Sequence, residues 1–181
     1  MHTRVILALG TLFLLTGCYS TAPTGSDDEG PRLRLTSMNG PGRSFYAAPT
    51  APDPTDNRCF KPRGFSQDPA RLALNLNDPG GLAQAEIAIL AGTIVEGSLV
   101  AAPDWIVRTV MDRGTQHTTV TFASSGVGRV LTSALVIFSV GASAPGSGAA
   151  VELAGQDRSG NRTTLLQVDL RPESDPVSCP R

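Results

Sequence analysis

The sequence has few of the residues on which most catalytic sites depend. His117 is the only histidine after the N-terminal apolar segment, and the chain has no G-x-S-x-G motif. A serine or cysteine nucleophile needs a base beside it, and a histidine-based zinc site needs several ligands, so one histidine supports neither. We therefore expect no catalytic residues and a protein that is not an enzyme.

Aromatic side chains are also scarce, at 5% of the chain, which argues against an aromatic platform for stacking on sugars. Trp105 is the only tryptophan, and we expect it to anchor the core. Without residues 1–17 the chain carries 14 basic against 16 acidic residues, which gives no electrostatic footprint for nucleic acid. The acidic residues on or beside strands are explained as solvent-facing: Glu86, Glu96, Asp104, Asp112 and Glu152.

The one long apolar run lies at the N-terminus. It extends from Val5 to Leu15 after Arg4, and as a helix it would rise about 16 Å, half of what a bilayer core needs. A basic start, a short apolar core and small residues are typical of a secretory signal peptide. Leu15-Thr16-Gly17-Cys18 resembles the lipobox of bacterial lipoproteins.

The lipobox resemblance implies that diacylglycerol is attached to the Cys18 sulfur, that the chain is cleaved before Cys18, and that fatty acids such as palmitate are added. Two or three acyl chains suffice for stable membrane anchoring. Tyr19 stands where Asp would signal retention in the inner membrane. The resemblance thus implies the outer membrane of a Gram-negative envelope, or otherwise the outer face of the cell membrane. The alternative is an ordinary signal peptide with a chance cysteine.

The other two cysteines are Cys59 and Cys179. Since an exported compartment permits disulfides and two cysteines allow one pairing, we predict a bridge between them. A closed loop of about 120 residues stabilises the fold by roughly 4–5 kcal/mol in the chain-entropy model. Two unpaired thiols are the alternative.

Beyond the leader, alternation of apolar and polar residues indicates β-strands. Leu72, Leu74 and Leu76 share one face, and about eight short strands follow one another from Arg71 onwards with turn residues between them. One short helical turn is predicted around 126–133. The pattern predicts an all-β protein built as an antiparallel β-sandwich.

The predicted organisation has five parts. They are a cleaved leader (1–17), the lipidated cysteine with a flexible tether (18–31), a Pro/Gly-rich segment with one possible edge strand (32–69), the sandwich (70–172) and a C-terminal tail (173–181).

Three stretches of the sandwich resemble the cohesin domains of bacterial cell-surface proteins. They read LALNLNDPGGLAQAEIAI, TVTFASSGVGRVLTSALVIFSV and SGAAVELAGQDRSGN. The resemblance implies a jelly-roll sandwich, related in shape to carbohydrate-binding modules, with one sheet face that receives a helical, dockerin-like protein.

We therefore expect an envelope lipoprotein that displays a protein-docking module, with a polysaccharide-binding or envelope-adhesive module as the alternative. No cofactor is expected. Asp157 and Asn161, and Asp53 with Asp56, offer oxygen atoms that suit calcium, but neither run has EF-hand spacing. We predict turns at both places in preference to structural calcium.

Overall fold

The computed structural model describes residues 18–21, 28–39, 44–48, 58–65, 67–123, 129–176 and 179. Across these ranges the regular secondary structure is entirely β, with twelve strands in two six-stranded sheets. No helix in the described ranges has the length and apolar character to cross a bilayer. The predicted all-β antiparallel sandwich is confirmed.

The first sheet has the order β1-β10-β5-β2-β3, with β7 also paired to β10. Its strands are β1 (Cys18–Thr21), β2 (Arg32–Ser37), β3 (Ser44–Ala47), β5 (Ala70–Asn77), β7 (Thr93–Ile94) and β10 (Arg129–Gly141). Every pairing in this sheet is antiparallel.

The second sheet has the order β4-β12-β11-β6-β9-β8. Its strands are β4 (Cys59–Phe60), β6 (Leu82–Ala91), β8 (Ile106–Asp112), β9 (Thr115–Thr121), β11 (Ala149–Asp157) and β12 (Arg162–Leu170). Only the short pairing of β4 with β12 is parallel.

The core lies between the two sheets and follows the alternation of the strands. Leu72, Leu74 and Leu76 are fully buried, as the sequence pattern predicts. Gly155 on β11 lets the sheets approach, because a Cβ there would lie 2.8 Å from methyl groups of both Leu33 and Leu76. A side chain at this position would push the two layers apart.

The sandwich is larger than the segment 70–172 predicted for it. β2 lies between β5 and β3, so it is an internal strand and not the edge strand that the sequence predicts as possible. Leu33 and Leu35 enter the core, and the backbone groups of the strand are paired on both sides, with β5 and with β3. The Pro/Gly-rich segment therefore belongs to the fold.

Two other predictions need correction along β10. Arg129–Gly141 is strand, so the helical turn predicted for 126–133 is wrong from Arg129 onwards, and 124–128 lie outside the described residues. Tyr19–Thr21 pair with Arg129–Leu131, so the first residues of the predicted tether belong to the first sheet. Together β1, Val100 and β7 cover most of the side of β10 that faces away from β5.

The end of the chain is fastened to β4. Cys59 and Cys179 form a disulfide pair with their Cα atoms 5.4 Å apart. Close by, Arg171 forms an ion pair of 3.2 Å with Asp175, whose backbone carbonyl accepts a hydrogen bond from Lys61. The disulfide thus ties Cys179, near the end of the chain, to β4, the strand at one edge of the second sheet.

At the opposite end of the second sheet, β8 and β9 form a hairpin whose edge strand, β8, is not covered by the first sheet. The hairpin turns at Arg113 and Gly114, which both have positive φ (48° and 85°), as a two-residue type I′ turn requires. All seven residues of β8 are exposed. We call residues 106–121 the overhanging hairpin.

Trp105 fastens the base of the overhanging hairpin. It is 8% exposed and packs edge-to-face against Phe122, with ring centroids 4.7 Å apart. The only tryptophan is therefore a core residue at the point where the hairpin leaves the sandwich.

Candidate functional site

The outer face of the second sheet carries the strongest candidate site. The strand register places Glu152, Ala88, His117 and Val110 side by side, on β11, β6, β9 and β8 respectively. Directly opposite residues point to the same side of a sheet, so these four side chains form one row across its outer face.

A second row lies next to the first and completes a depression. Ala154 is opposite Glu86, and Glu86 is opposite Thr119. The methyl groups of Ala88 and Ala154 leave a space of about 200 Å³ between the longer side chains around them. This is smaller than the 300–1,000 Å³ typical of small-molecule sites, and it suits one inserted side chain.

One wall of the depression is held by a polar network. Arg162 donates to Glu86 over 2.6 Å, and Gln84 Nε2 donates to Glu86 over 3.0 Å and to Gln156 over 2.9 Å. Because Glu86 already has two donors, it is fixed in place and largely neutralised by Arg162.

The other wall has unused polar groups. Within the described residues, the carboxylate of Glu152 and the imidazole of His117 make no hydrogen bond or ion pair with the protein. Glu152 is half-buried, so a cationic group that enters the depression would gain a charge-assisted hydrogen bond there. The arrangement can therefore receive a lysine or arginine side chain.

Exposed apolar residues of this face include two at its β8 edge. Ile106 and Val110 point to the same side as His117, and both are exposed. Among the side chains that the structure describes, the only exposed aromatic one is Tyr46, which lies on the first sheet with the Arg34 guanidinium 5.3 Å from its ring centre. The described part of the outer face thus offers aliphatic but no aromatic contact area.

The calcium candidates Asp157 and Asn161 come together, but as a turn. Asp157 Oδ1 accepts from the Asn161 backbone N–H and Asp157 Oδ2 accepts from its side-chain amide, each over 2.7 Å. No group of three or more His, Cys, Asp or Glu in the described ranges could hold a metal ion. Asp53 and Asp56 lie outside the described residues.

The lipidation candidate, Cys18, is the first residue of β1, and its backbone lies opposite Ser133. Residues 15–17 of the predicted lipobox lie outside the described residues.

The sequence pattern does not predict the depression. It predicts that Glu86 and Glu152 face solvent, but not that they lie at neighbouring positions beside two alanines. The stretch AQAEIAIL carries a partial signal, because Gln84, Glu86 and Ala88 alternate with the buried Ala85, Ile87 and Ile89. The matching partner, Ala154, becomes visible only once β11 is aligned with β6.

Comparison with protein families and with curated proteins does not identify the site. No protein-family model matches the chain, and no curated protein is significantly similar to it. The function is therefore inferred from the geometry of the outer face.

Proposed function

We propose that this protein is a non-catalytic docking module, anchored in the cell envelope by lipid on Cys18, that binds a protein partner through the outer face of its second sheet. The observation that carries the proposal is the depression floored by Ala88 and Ala154, with the unpaired carboxylate of Glu152 at its wall. A lysine or arginine of the partner would insert there.

The character of the surrounding face supports a protein ligand. Protein interfaces combine apolar contact area with a polar rim, and here Val110 lies opposite His117 of the depression and Ile106 lies further along the same face. A sugar site would need exposed aromatic rings or a calcium centre, and neither occurs on the described part of this face. The cohesin resemblance implies the same class of partner, a helical protein that lies across one sheet.

The proposed anchor would hold the domain close to the membrane. Because β1 begins at Cys18, a lipid on that residue would have no spacer between it and the first sheet. Cys18→Ala should abolish palmitate incorporation and leave uncleaved precursor. If the variant still incorporates palmitate and fractionates with membranes, the lipid anchor is wrong, whereas the docking face would be unaffected.

The docking face is tested by capture from native envelopes with the full chain in mild detergent. Ala88→Gln should abolish recovery of the partner, because the longer side chain fills the depression. Asn75→Gln is the matched control, since Asn75 is half-buried on the outer face of the first sheet and accepts a change to the same side chain.

The docking proposal predicts one or more proteins that wild type and Asn75→Gln retain and Ala88→Gln loses. Recovery of polysaccharide without protein would contradict it and favour the carbohydrate-binding alternative. Equal recovery of protein by all three chains would place the partner on another surface.

A further inference from the structure

The overhanging hairpin ends in a strand that is exposed along its whole length. Ile106 and Met111 are 68% and 67% exposed, and Val107 and Val110 are also open to solvent. Four of the seven residues of β8 are therefore large, apolar and uncovered. An apolar edge strand of this kind is a site for pairing with another strand.

The backbone groups that face the free edge follow from the hydrogen bonds of β9. Phe122 N donates to Ala83 O over 2.9 Å, so residue 122 points its backbone groups towards β6. Backbone direction alternates along a strand, so residues 120 and 118 also face β6, whereas 121 and 119 face β8. On β8, the residues that face outward are Val107, Thr109 and Met111.

This edge carries the charged residues Arg108 and Asp112, but it lacks other features that keep natural edge strands apart. β8 contains no lysine or proline, and it is seven residues long and regularly paired with β9. The other edge of the second sheet is β4, which has two residues and is held by the Cys59–Cys179 bridge. One edge of the second sheet is thus short and held by a disulfide, whereas the other edge is long and exposed.

We propose that β8 pairs with β8 of a second copy of this chain, antiparallel, with Val110 opposite Val110 at a twofold axis. In that register Arg108 lies directly opposite Asp112 of the second copy, twice. Opposite charges that face each other across strands stabilise the pairing. Within the described residues neither Arg108 nor Asp112 has an ion-pair partner in its own chain.

The neighbouring registers lack this charge match. Centring on Arg108 places two arginines opposite each other, which is destabilising. Centring on Thr109 places Arg108 opposite Val110 and Asp112 opposite Ile106, so each charge faces an apolar side chain. Centring on Met111 places Asp112 opposite Val110 and Arg108 opposite Gly114, so charge complementarity selects the register centred on Val110.

The pairing would join two second sheets into one continuous sheet with both outer faces on the same side. The two depressions would then face one way, which suits bivalent binding. The anchor favours the same contact, because lipid on Cys18 would confine the copies to one membrane plane and raise their effective concentration.

Cross-linking of the full chain in native membranes tests the pairing. Val110→Cys should give a disulfide-linked dimer, because opposite residues in a non-hydrogen-bonded pair lie about 4.5 Å apart at Cα. Ile106→Cys is the matched control, exposed on the same face of the same strand. In the proposed register its two copies are about 27 Å apart, so it should not cross-link.

The charge pair provides a second test by sedimentation of the full chain in detergent. Arg108→Asp should weaken the dimer about tenfold, because it places like charges opposite each other twice. Adding Asp112→Arg should restore wild-type association. Ala88→Gln should leave the dimer unchanged, which separates this proposal from the docking face.

Three results would overturn the pairing. The first is no dimer from Val110→Cys, and the second is equal cross-linking of Val110→Cys and Ile106→Cys. The third is that the thiol introduced by Val110→Cys becomes inaccessible to a water-soluble reagent on phosphatidylglycerol vesicles without forming a dimer. That last result would assign the edge to the lipid surface.

Discussion

The body of the sandwich and strand β8 of the overhanging hairpin are similarly rich in apolar residues, but the body buries them and β8 exposes them. In the body, β-branched and aliphatic residues of β10 enter the core, and Val136, Phe138 and Val140 are fully buried. On β8 the sequence IVRTVMD is as rich in such residues, yet every one of them is exposed. The difference lies in what covers each strand, because β10 packs against β6 of the opposite sheet, whereas β8 is left exposed.

This contrast teaches that apolar content alone does not identify the core of this protein. Apolar side chains in the body stabilise the fold, whereas those of β8 are available for contacts with other molecules. The contrast predicts that substitutions in the body lower the free energy of unfolding strongly and that substitutions on β8 lower it little.

The largest effect is expected from Phe138→Ala, which should lower the free energy of unfolding by about 3–5 kcal/mol, because it leaves a cavity in a fully buried site. Met111→Ala on the hairpin should change it by about 0.5 kcal/mol or less. Denaturant unfolding at low protein concentration measures both. Equal losses would remove the distinction between the two regions.

The covalent closure of the body comes next. Cys59→Ser and Cys179→Ser should each lower the free energy of unfolding by about 2–4 kcal/mol, the typical loss for a disulfide and less than the chain-entropy value, since either removes the same bridge. The double variant should add little to either single loss. Fully additive losses in thermal or denaturant unfolding would contradict a stabilising bridge.

The turn at Asp157 should have a smaller effect. Asp157→Ala removes the acceptor of two hydrogen bonds from Asn161, and we expect a loss of about 1–3 kcal/mol. Calcium should not change the melting temperature of the wild type. A rise with calcium that Asp157→Ala abolishes would show that the turn is a metal site.

The smallest effect is expected at the wall of the depression. Glu86 and Arg162 are 37% and 45% exposed, so their ion pair should contribute only about 0.2–1 kcal/mol of coupling energy. A double-mutant cycle with Glu86→Gln and Arg162→Gln measures it. A coupling of several kcal/mol would mean that this face serves the stability of the fold before it serves binding.

The sequence predicts which residues form strands better than it predicts which strands pair with each other. The alternation of Leu72, Leu74 and Leu76 correctly identifies a core face, because a half-buried strand must alternate. The pairing of β1 with β10, and the internal position of β2, depend on contacts far apart in the chain, which alternation does not encode.

The candidate site was harder to predict for the same reason. Ala88 and Ala154 are separated along the chain, and only the register of β11 on β6 makes them one floor. The cysteine pair is easier to predict, because only two cysteines remain for a disulfide if Cys18 carries the lipid that the lipobox resemblance implies.

The measurement that tests the central claim most directly is the affinity of the captured partner for the full chain, determined by calorimetry. Glu152→Gln should weaken binding about tenfold, because the partner's cation loses its carboxylate. Glu96→Gln is the charge-matched control, exposed in the loop after β7, and should bind as the wild type does. Unchanged affinity for Glu152→Gln, or equal losses for both variants, would contradict docking through the outer face of the second sheet.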